Sequence, residues 1–220
     1  MKIVLNLENH ALLDAAVFVT RFQNSLGNLS SSTEFAQGFS LEASSPLQPS
    51  DEIRSAIREL LRQNGFKPTG RNKPAAEYLL RAASEQKLAS INPAVDFCNI
   101  VSLHSGLPIS VVDLDQMAEP LAIKVAPNGA SYIFNPSGQE IQIGGLLSLF
   151  DQHGACANAV KDSQRTKTGP DTQTTLSVVW GTQQLPGRTA RSMMWYRQLL
   201  ADFGANTCDV SIGTLEKPAT

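Results

Sequence analysis

The stretch NPAVDFCNIVSLHSGLP, residues 92–108, decides the fold because it carries the clearest helix signals in the chain. Asn92 is a residue type that caps helix N-termini, and Pro93 suits the first helical position. Gly106 is suited to ending a helix in a left-handed conformation. The residues between these ends are apolar on most sides, which is typical of a helix buried all round. We therefore predict a central, buried helix over residues 93–105.

Outward from this helix, the chain mixes helix-like and strand-like segments without a strict βαβ repeat. That mixture predicts the α+β class, with a mixed β-sheet and flanking helices. The Asn128-Gly129 turn favours a hairpin between the strands on either side of it. The predicted helices span residues 51–63, 74–84 and 186–203. The predicted strands span residues 2–5, 15–20, 109–114, 121–126, 131–134, 140–143, 155–160 and 174–180.

The composition is that of a folded protein. Of 220 residues, 42% are hydrophobic and 17% are charged, with a net charge of -2, which excludes a disordered charged tail. A chain of this length can bury a substantial core, and it shows no repeat or low-complexity linker, so we expect one domain over residues 1–220. The absence of a long apolar run or a secretory leader predicts a cytoplasmic protein with no membrane span.

Charge is distributed unevenly along the chain. Residues 67–88 carry 5 Lys and Arg against 2 acids, and residues 161–200 carry 6 against 2. The intervening residues 89–160 carry 1 basic and 6 acidic residues. These basic segments are compatible with ordinary solvated faces or with contacts to RNA phosphates.

Familiar catalytic and metal-binding signatures are absent from the sequence. There is no GxSxG, Walker, HExxH or GxGxxG motif. Cys98, Cys156 and Cys208 are far apart and odd in number, which favours buried thiols over disulfides or zinc ligands. We therefore expect no metal, no cofactor and no DNA partner, and the oligomeric state stays open.

One face of the predicted central helix is polar. Asn92, Asp96 and Asn99 lie on that face because steps of three and four residues keep to one side of a helix. Buried polar groups need partners, since each unsatisfied one costs about 1–3 kcal/mol. These side chains either bind the backbone of a neighbouring loop, such as the segment before Pro74, or form the polar wall of a pocket, with Asn99 facing a small polar ligand.

Together with the residues that follow it, the 92–108 stretch resembles the core motif of the B3/4 domain, the editing domain of the phenylalanyl-tRNA synthetase beta subunit. A free-standing branch of this family also has a Lys-Pro-small-small-Glu helix, matched by residues 73–77, and a later Arg-Thr-Lys segment, matched by residues 165–167. The resemblance covers about residues 70–200, with residues 1–66 as the N-terminal part of the same unit. The matching positions in the core motif are Val95, Asp96, Asn99, Val101, Leu103, Gly106, Pro108, Asp113 and Asp115.

This resemblance implies a B3/4-like fold with a pocket between two sub-lobes, which in the synthetase hydrolyses tRNA-Phe wrongly charged with tyrosine. The implied partner is tRNA or a small aminoacyl ligand, and the implied activity is ester hydrolysis in trans. The alternative is a non-catalytic module that binds a small molecule or a protein. Aminoacylation is not expected, because the ATP-binding motifs of a synthetase are absent.

The resemblance also implies site residues. Asn99 falls on an editing-pocket asparagine, and Gly144 or Gly145 falls on a Gly-Gly turn of the pocket. The family pattern has His where this chain has Ser110, and Glu where it has Val178, so Ser110 is the candidate for positioning water and hydrolysis should be slow or absent. The expected pocket residues are Asn99, Ser110, Gly144, Gly145 and Thr172, with Arg165 or Lys73 at the rim, and the expected structural polar residues are Asn92, Asp96 and Asp113.

Overall fold

The computed structural model describes residues 3–29 and 33–215, so residues 1–2, 30–32 and 216–220 of the predicted domain lie outside the described part. The helices are α1 (Thr33–Gly38), α2 (Asp51–Arg62), α3 (Ala75–Ser84), α4 (Pro93–Ser105) and α5 (Arg188–Asp202). The strands are β1 (Val4–Glu8), β2 (Leu13–Arg21), β3 (Ile109–Asp113), β4 (Leu121–Val125), β5 (Ser131–Ile133), β6 (Glu140–Gln142), β7 (Leu147–Asp151), β8 (Gly154–Asn158), β9 (Thr174–Thr182), β10 (Asn206–Asp209) and β11 (Ser211–Leu215).

Two larger sheets and a small two-stranded one organise the strands. The five-stranded sheet has the order β11-β1-β4-β7-β8 and is mixed, since β1 pairs in parallel with both β11 and β4. The four-stranded sheet has the order β10-β2-β9-β3 and is antiparallel throughout. This architecture confirms the predicted α+β class with a mixed sheet and flanking helices.

The four-stranded sheet separates two hydrophobic cores. Because side chains alternate along a strand, Val178 and Trp180 of β9 face the five-stranded sheet, whereas Val179 faces the helices. The helical core brings Phe18 of β2 against Tyr196 of α5, with ring centroids 5.1 Å apart. The result is three layers, in which the four-stranded sheet is the middle one.

Helix α4 has the ends and the burial that its sequence predicts. Asn92 Oδ1 accepts a hydrogen bond from the Val95 N–H at 3.1 Å, and Pro93 occupies the first turn. Gly106 closes the helix with a φ of 69°, a left-handed conformation that favours glycine. Most residues of α4 are buried, so the prediction of a central helix is confirmed. No helix in the described ranges is long and apolar enough to cross a membrane.

The predicted hairpin around Asn128-Gly129 is wrong. The turn itself forms, with the Ala130 N–H donating to the Pro127 carbonyl at 3.1 Å, but the strands on either side of it do not pair. β4 lies between β1 and β7, and β5 pairs with β6 in the separate small sheet. The buried β4 has both of its edges occupied by long-range partners, which override the local turn preference.

Three strands and one exposed thiol differ from the sequence-based expectations. β7, β10 and β11 were not among the predicted strands, although β7 is a buried strand between β4 and β8. Cys98 and Cys156 are buried as expected, but Cys208 is exposed because it lies on β10, an edge strand. The expectation that all three thiols are buried is therefore wrong.

Candidate functional site

A cavity of about 410 Å³ lies beside Asn99, between α3, α4 and the chain that follows β8. Its volume falls in the usual range for small-molecule sites. Most of its wall is apolar, and three polar side chains interrupt that wall. The lining residues are Ala75, Tyr78, Leu79, Ile109 and Val160 together with Arg71, Asn99 and Lys161. We call this space the Asn99 cavity.

The polar groups of the Asn99 cavity are uncompensated. Neither Arg71 nor Lys161 forms a salt bridge within residues 3–29 and 33–215. Burial and the neighbouring Arg71 charge lower the pKa of Lys161, whose ammonium lies 4.1 Å from the centre of the Phe134 ring. Two adjacent cations without a carboxylate partner favour an anionic ligand group at this rim.

Asn99 supplies the neutral polar group of the cavity. Its side-chain amide makes no hydrogen bond in the described part of the chain, and the residue is partly exposed. An amide offers two donors and an acceptor, so it can hold either a carbonyl oxygen or an ammonium group.

The other polar residues on this face of α4 bind protein groups. Asn92 caps the helix and also donates from Nδ2 to Thr168 Oγ1 at 3.2 Å. Asp96 is 0% exposed and accepts hydrogen bonds from the Ile91 N–H at 2.8 Å and the Ser90 hydroxyl at 2.5 Å. Both roles predicted for this face therefore occur. Asn92 and Asp96 make structural contacts, whereas Asn99 lines a cavity.

Ser110 lies inside the protein and does not line the Asn99 cavity. It is 1% exposed, its hydroxyl lies 2.7 Å from Oδ1 of Asp162, and it accepts a hydrogen bond from Trp180 Nε1 at 2.9 Å. Its neighbour Ile109 lines the cavity instead, because adjacent residues of β3 point to opposite faces. The expected position of Ser110 in one pocket with Asn99 is therefore corrected.

Sequence reasoning missed Asp162, which is the most perturbed acid in the neighbourhood. Its carboxyl is enclosed by protein although the residue as a whole is partly exposed, and burial raises its pKa to about 7. Hydrogen bonds from Ser110 and from the Asn158 N–H, the latter at 3.4 Å, oppose that rise. The sequence offers no signal for this environment beyond the position of Asp162 directly after Lys161.

Thr172 and Arg165 are held in contacts of their own, away from the Asn99 cavity. Thr172 is buried, and its hydroxyl donates to Oδ2 of Asp113 at 2.6 Å. Arg165 forms a two-pronged ion pair with Asp151, whose nearest nitrogen–oxygen distance is 2.7 Å. Asp113 also accepts from the backbone N–H of Asp115 at 3.0 Å, so its carboxylate holds the chain after β3.

The glycine pair and Lys73 also lie outside the lining of the Asn99 cavity. Gly145 has a φ of 79°, and a Cβ there would lie 2.3 Å from the Asn64 carbonyl oxygen. A Cβ at Gly144 would lie 3.3 Å from backbone atoms of the 127–129 turn, a looser approach than at Gly145. Lys73 is half-buried just before α3. The structure therefore brings Asn99 together with Arg71 and Lys161, not with the other residues expected around it.

No group of three or more His, Cys, Asp or Glu residues within the described ranges is arranged to hold a metal ion. The cavity's chemistry is instead that of a binding site with an apolar wall, one amide and two cations.

Comparisons with known proteins agree with this fold. The structure is similar to a crystal structure of an N-terminal fragment of the phenylalanyl-tRNA synthetase beta subunit from Pyrococcus horikoshii, with a TM-score of 0.53 and 10% sequence identity. The match covers 100% of this chain and 55% of that one, so the chain spans about half the length of this solved relative. No curated protein sequence matches the chain. The model of the B3/4 domain matches residues 65–195, well over half of the chain. The chain belongs to the B3/4 domain family.

Proposed function

We propose that this chain binds the aminoacyl end of a tRNA in the Asn99 cavity and hydrolyses its ester slowly or not at all. The observation that carries the proposal is the pairing of an apolar wall with Asn99 and two cations, Arg71 and Lys161, which form no salt bridge with any described residue. An aminoacyl ester at the end of a tRNA has complementary parts: an amino-acid side chain, an amine and carbonyl, and nearby phosphates. Membership of the B3/4 family, and likeness to a fragment of a tRNA synthetase subunit, support the same ligand class.

Each part of such a ligand has a counterpart in the cavity. The side chain would lie on Tyr78, Leu79 and Val160, where apolar burial contributes about 25 cal/mol per Å². The amide of Asn99 would bind the amine or the carbonyl. Arg71 and Lys161 would bind a phosphate, and such contacts make nucleic-acid affinity depend on salt.

Slow hydrolysis follows from what the cavity wall lacks. Hydrolysis of an ester needs polar groups that place a water molecule and stabilise the developing oxyanion. Ser110 is enclosed by Asp162 and Trp180, and Val178 is 0% exposed and offers no polar atom. Binding is therefore better supported than catalysis.

Binding of tRNA tests the ligand class. We expect a gel-shift affinity that falls steeply with salt, by a slope of about 0.7–0.9 per phosphate contact. The double variant Arg71→Ala/Lys161→Ala should lower that slope by about 1.4–1.8 if each cation meets one phosphate. Binding of equal strength in both proteins at all salt concentrations would contradict the phosphate contacts.

Binding of an aminoacyl-adenosine with an amide in place of the ester tests Asn99 directly. Asn99→Ala should weaken this binding by about 10-fold to 150-fold, since a hydrogen bond to a charged group contributes about 1.5–3 kcal/mol. Asn206→Ala, at an exposed position on β10, is the matched control and should bind as the wild type does. Equal affinities in the two variants would show that Asn99 does not contact the ligand and that the binding site lies elsewhere.

A panel of mischarged tRNAs, including tyrosyl-tRNA-Phe, tests the catalytic half of the proposal. We expect deacylation close to the uncatalysed rate alongside measurable binding. Rapid hydrolysis of any member would make the chain a trans-acting editing enzyme. Absence of both tRNA and aminoacyl-adenosine binding would favour the alternative, a module for another small molecule or a protein.

A further inference from the structure

A second cavity, of about 510 Å³, lies on another side of α4, between α1, α4 and the end of α5. We call it the Trp195 cavity. The aminoacyl-binding proposal does not use it, and its lining differs from that of the Asn99 cavity. Its wall is rich in aromatic rings from Phe35, Phe97, Trp195 and Phe203, and its lining acid is Asp202.

The aromatic rings form a connected group. Phe97 lies 4.7 Å from Phe35 and 5.4 Å from Phe203 between ring centroids, both in edge-to-face arrangements. Trp195 stands against the imidazole of His104 at 5.9 Å. Edge-to-face packing is a favoured arrangement of aromatic pairs, so these contacts help to hold the rings of the wall in place.

The charges of the lining have one sign. Asp202 is exposed at the rim, where Oδ1 accepts a hydrogen bond from Gln198 Nε2 at 2.7 Å. Within the described part of the chain, Oδ2 has no partner, and the lining contains neither Lys nor Arg. A carboxylate beside aromatic rings favours a cation, because the negative faces of such rings attract positive charge as the carboxylate does.

His104 adds an unpaired acceptor to the same wall. The residue is 1% exposed, and its Nε2 lies 3.0 Å from the Gly38 carbonyl oxygen, to which it donates as the N–H tautomer. Nδ1 is then a bare acceptor, and it has no hydrogen-bond partner within the described residues. A buried polar atom without a partner is uncommon, and an N–H donor on a ligand would satisfy it.

We propose that the Trp195 cavity is a second binding site, which takes a small organic cation, namely an amine with an aromatic or aliphatic body. The apolar body would contact the Phe and Trp rings, and the ammonium would lie near Asp202. This site is independent of the Asn99 cavity, whose rim is basic and would repel the same ligand.

Calorimetric titration with three related probes tests the proposal. 2-Phenylethylamine is the cation, 2-phenylethanol is its neutral counterpart and 3-phenylpropionate is an anion of similar size. We expect the amine to bind with a Kd below about 1 mM and the order of affinity to be amine, alcohol, anion. Absence of saturable amine binding, or equal or tighter binding of the anion, would overturn the proposal.

Variants of the lining locate the binding. Asp202→Asn should weaken the amine by about threefold to tenfold without changing the alcohol. Ala43→Trp, at a half-buried position of the lining, should abolish binding of both by filling the cavity. Asp171→Asn, an exposed acid outside the lining, is the matched control for Asp202 and should bind as the wild type does.

Two further readouts separate this site from the Asn99 cavity. Asn99→Ala should leave amine binding unchanged, and a loss there would assign the amine to the Asn99 cavity and overturn the proposal. Tryptophan fluorescence should respond to the amine, and Trp195→Phe should remove the response. The only other tryptophan, Trp180, is 1% exposed and should report nothing, so a response that persists in Trp195→Phe would contradict the site.

Discussion

The Asn99 cavity and the Trp195 cavity are built on the same helix but have opposite character. Asn99 and Ile100 are consecutive residues of α4, and each lines a different cavity. Arg71 and Lys161 make the rim of one cavity basic, whereas Asp202 makes the rim of the other acidic. Helix α4 gives the first cavity its amide, Asn99, and gives the second cavity Phe97, Ile100 and His104. The difference teaches that one helix can serve two unlike cavities, while neighbouring elements supply the charge that selects a ligand.

The largest expected effect comes from the anchor that the two cavities share. Asp96→Ala should lower the free energy of unfolding by about 2–4 kcal/mol, because the Ile91 N–H and the Ser90 hydroxyl lose a buried partner. Urea denaturation measures the loss of stability. Ligand titrations should show a lower affinity at both cavities. A variant as stable as the wild type would show that Asp96 does not anchor α4.

The pH dependence of stability should respond to Asp162, which lies near the basic cavity only. Its folded-state pKa of about 7 is above the ordinary value of about 4, so the folded protein binds this proton more tightly than the unfolded chain does. The free energy of unfolding should therefore fall by about 1 kcal/mol per pH unit between those two pKa values and stay level above them.

Asp162→Asn removes this titration and should flatten the profile, measured by urea denaturation at several pH values. Asp115→Asn, at an exposed position, should keep the wild-type slope. Identical slopes in the wild type and Asp162→Asn would show that the carboxyl titrates as it does in water.

Substitution of Gly145 tests whether the Gly-Gly turn has a structural role or a binding role. Gly145→Ala should destabilise the protein by about 1–3 kcal/mol more than Gly129→Ala, although both glycines have a φ of 79°. The reason is that the Gly145 Cβ would meet the Asn64 carbonyl at 2.3 Å, whereas the Gly129 Cβ meets nothing within 4 Å. Thermal melts compare the two variants, and unchanged ligand affinity in Gly145→Ala would place the turn outside both sites.

The smallest expected effect concerns one wall of the Asn99 cavity. Arg58 of α2 binds Glu77 of α3 through two hydrogen bonds of 2.6 and 2.5 Å, so the pair ties α3 in place. Arg58→Ala should lower the free energy of unfolding by about 1 kcal/mol. It should also lower ligand affinity at the Asn99 cavity and leave affinity at the Trp195 cavity unchanged. Arg54→Ala is the control, since Arg54 pairs with the exposed Asp51 and should cost less. Equal losses in the two variants would contradict the role of the pair in holding α3.

Local signals allowed α4 to be predicted closely from the sequence. Asn92 caps the helix through its own side chain, whereas Pro93 and Gly106 act through their backbone conformations. All three effects are local, and the structure shows each of them. The hairpin at Asn128-Gly129 failed because strand pairing depends on residues far along the chain, such as those of β7. Turn chemistry fixes where the chain bends, whereas burial of β4 between β1 and β7 decides which strands meet.

The candidate site was predictable only where it lies on a recognisable helix. The helix face and the family resemblance both pointed to Asn99, and the structure places Asn99 on a cavity. The same reasoning put Ser110 beside it, but Ser110 faces Trp180 across β3 and β9. Asp162 and the aromatic wall around Trp195 went unnoticed, because enclosure of a carboxyl and convergence of rings from three helices are properties of tertiary packing.

Because β9 lies in the middle layer, changes in its length should be tolerated less well than changes in its amino-acid composition. One face of β9 packs into the core against the five-stranded sheet through Leu176, Val178 and Trp180. The other face packs into the helical core through Val179, so the register of the strand determines the packing on both sides. Deleting one residue within 174–182 would turn every side chain beyond the deletion to the opposite core. Insertions and deletions should therefore be far more damaging there than in the exposed turn at 136–139, where a change of length would not exchange buried for exposed side chains.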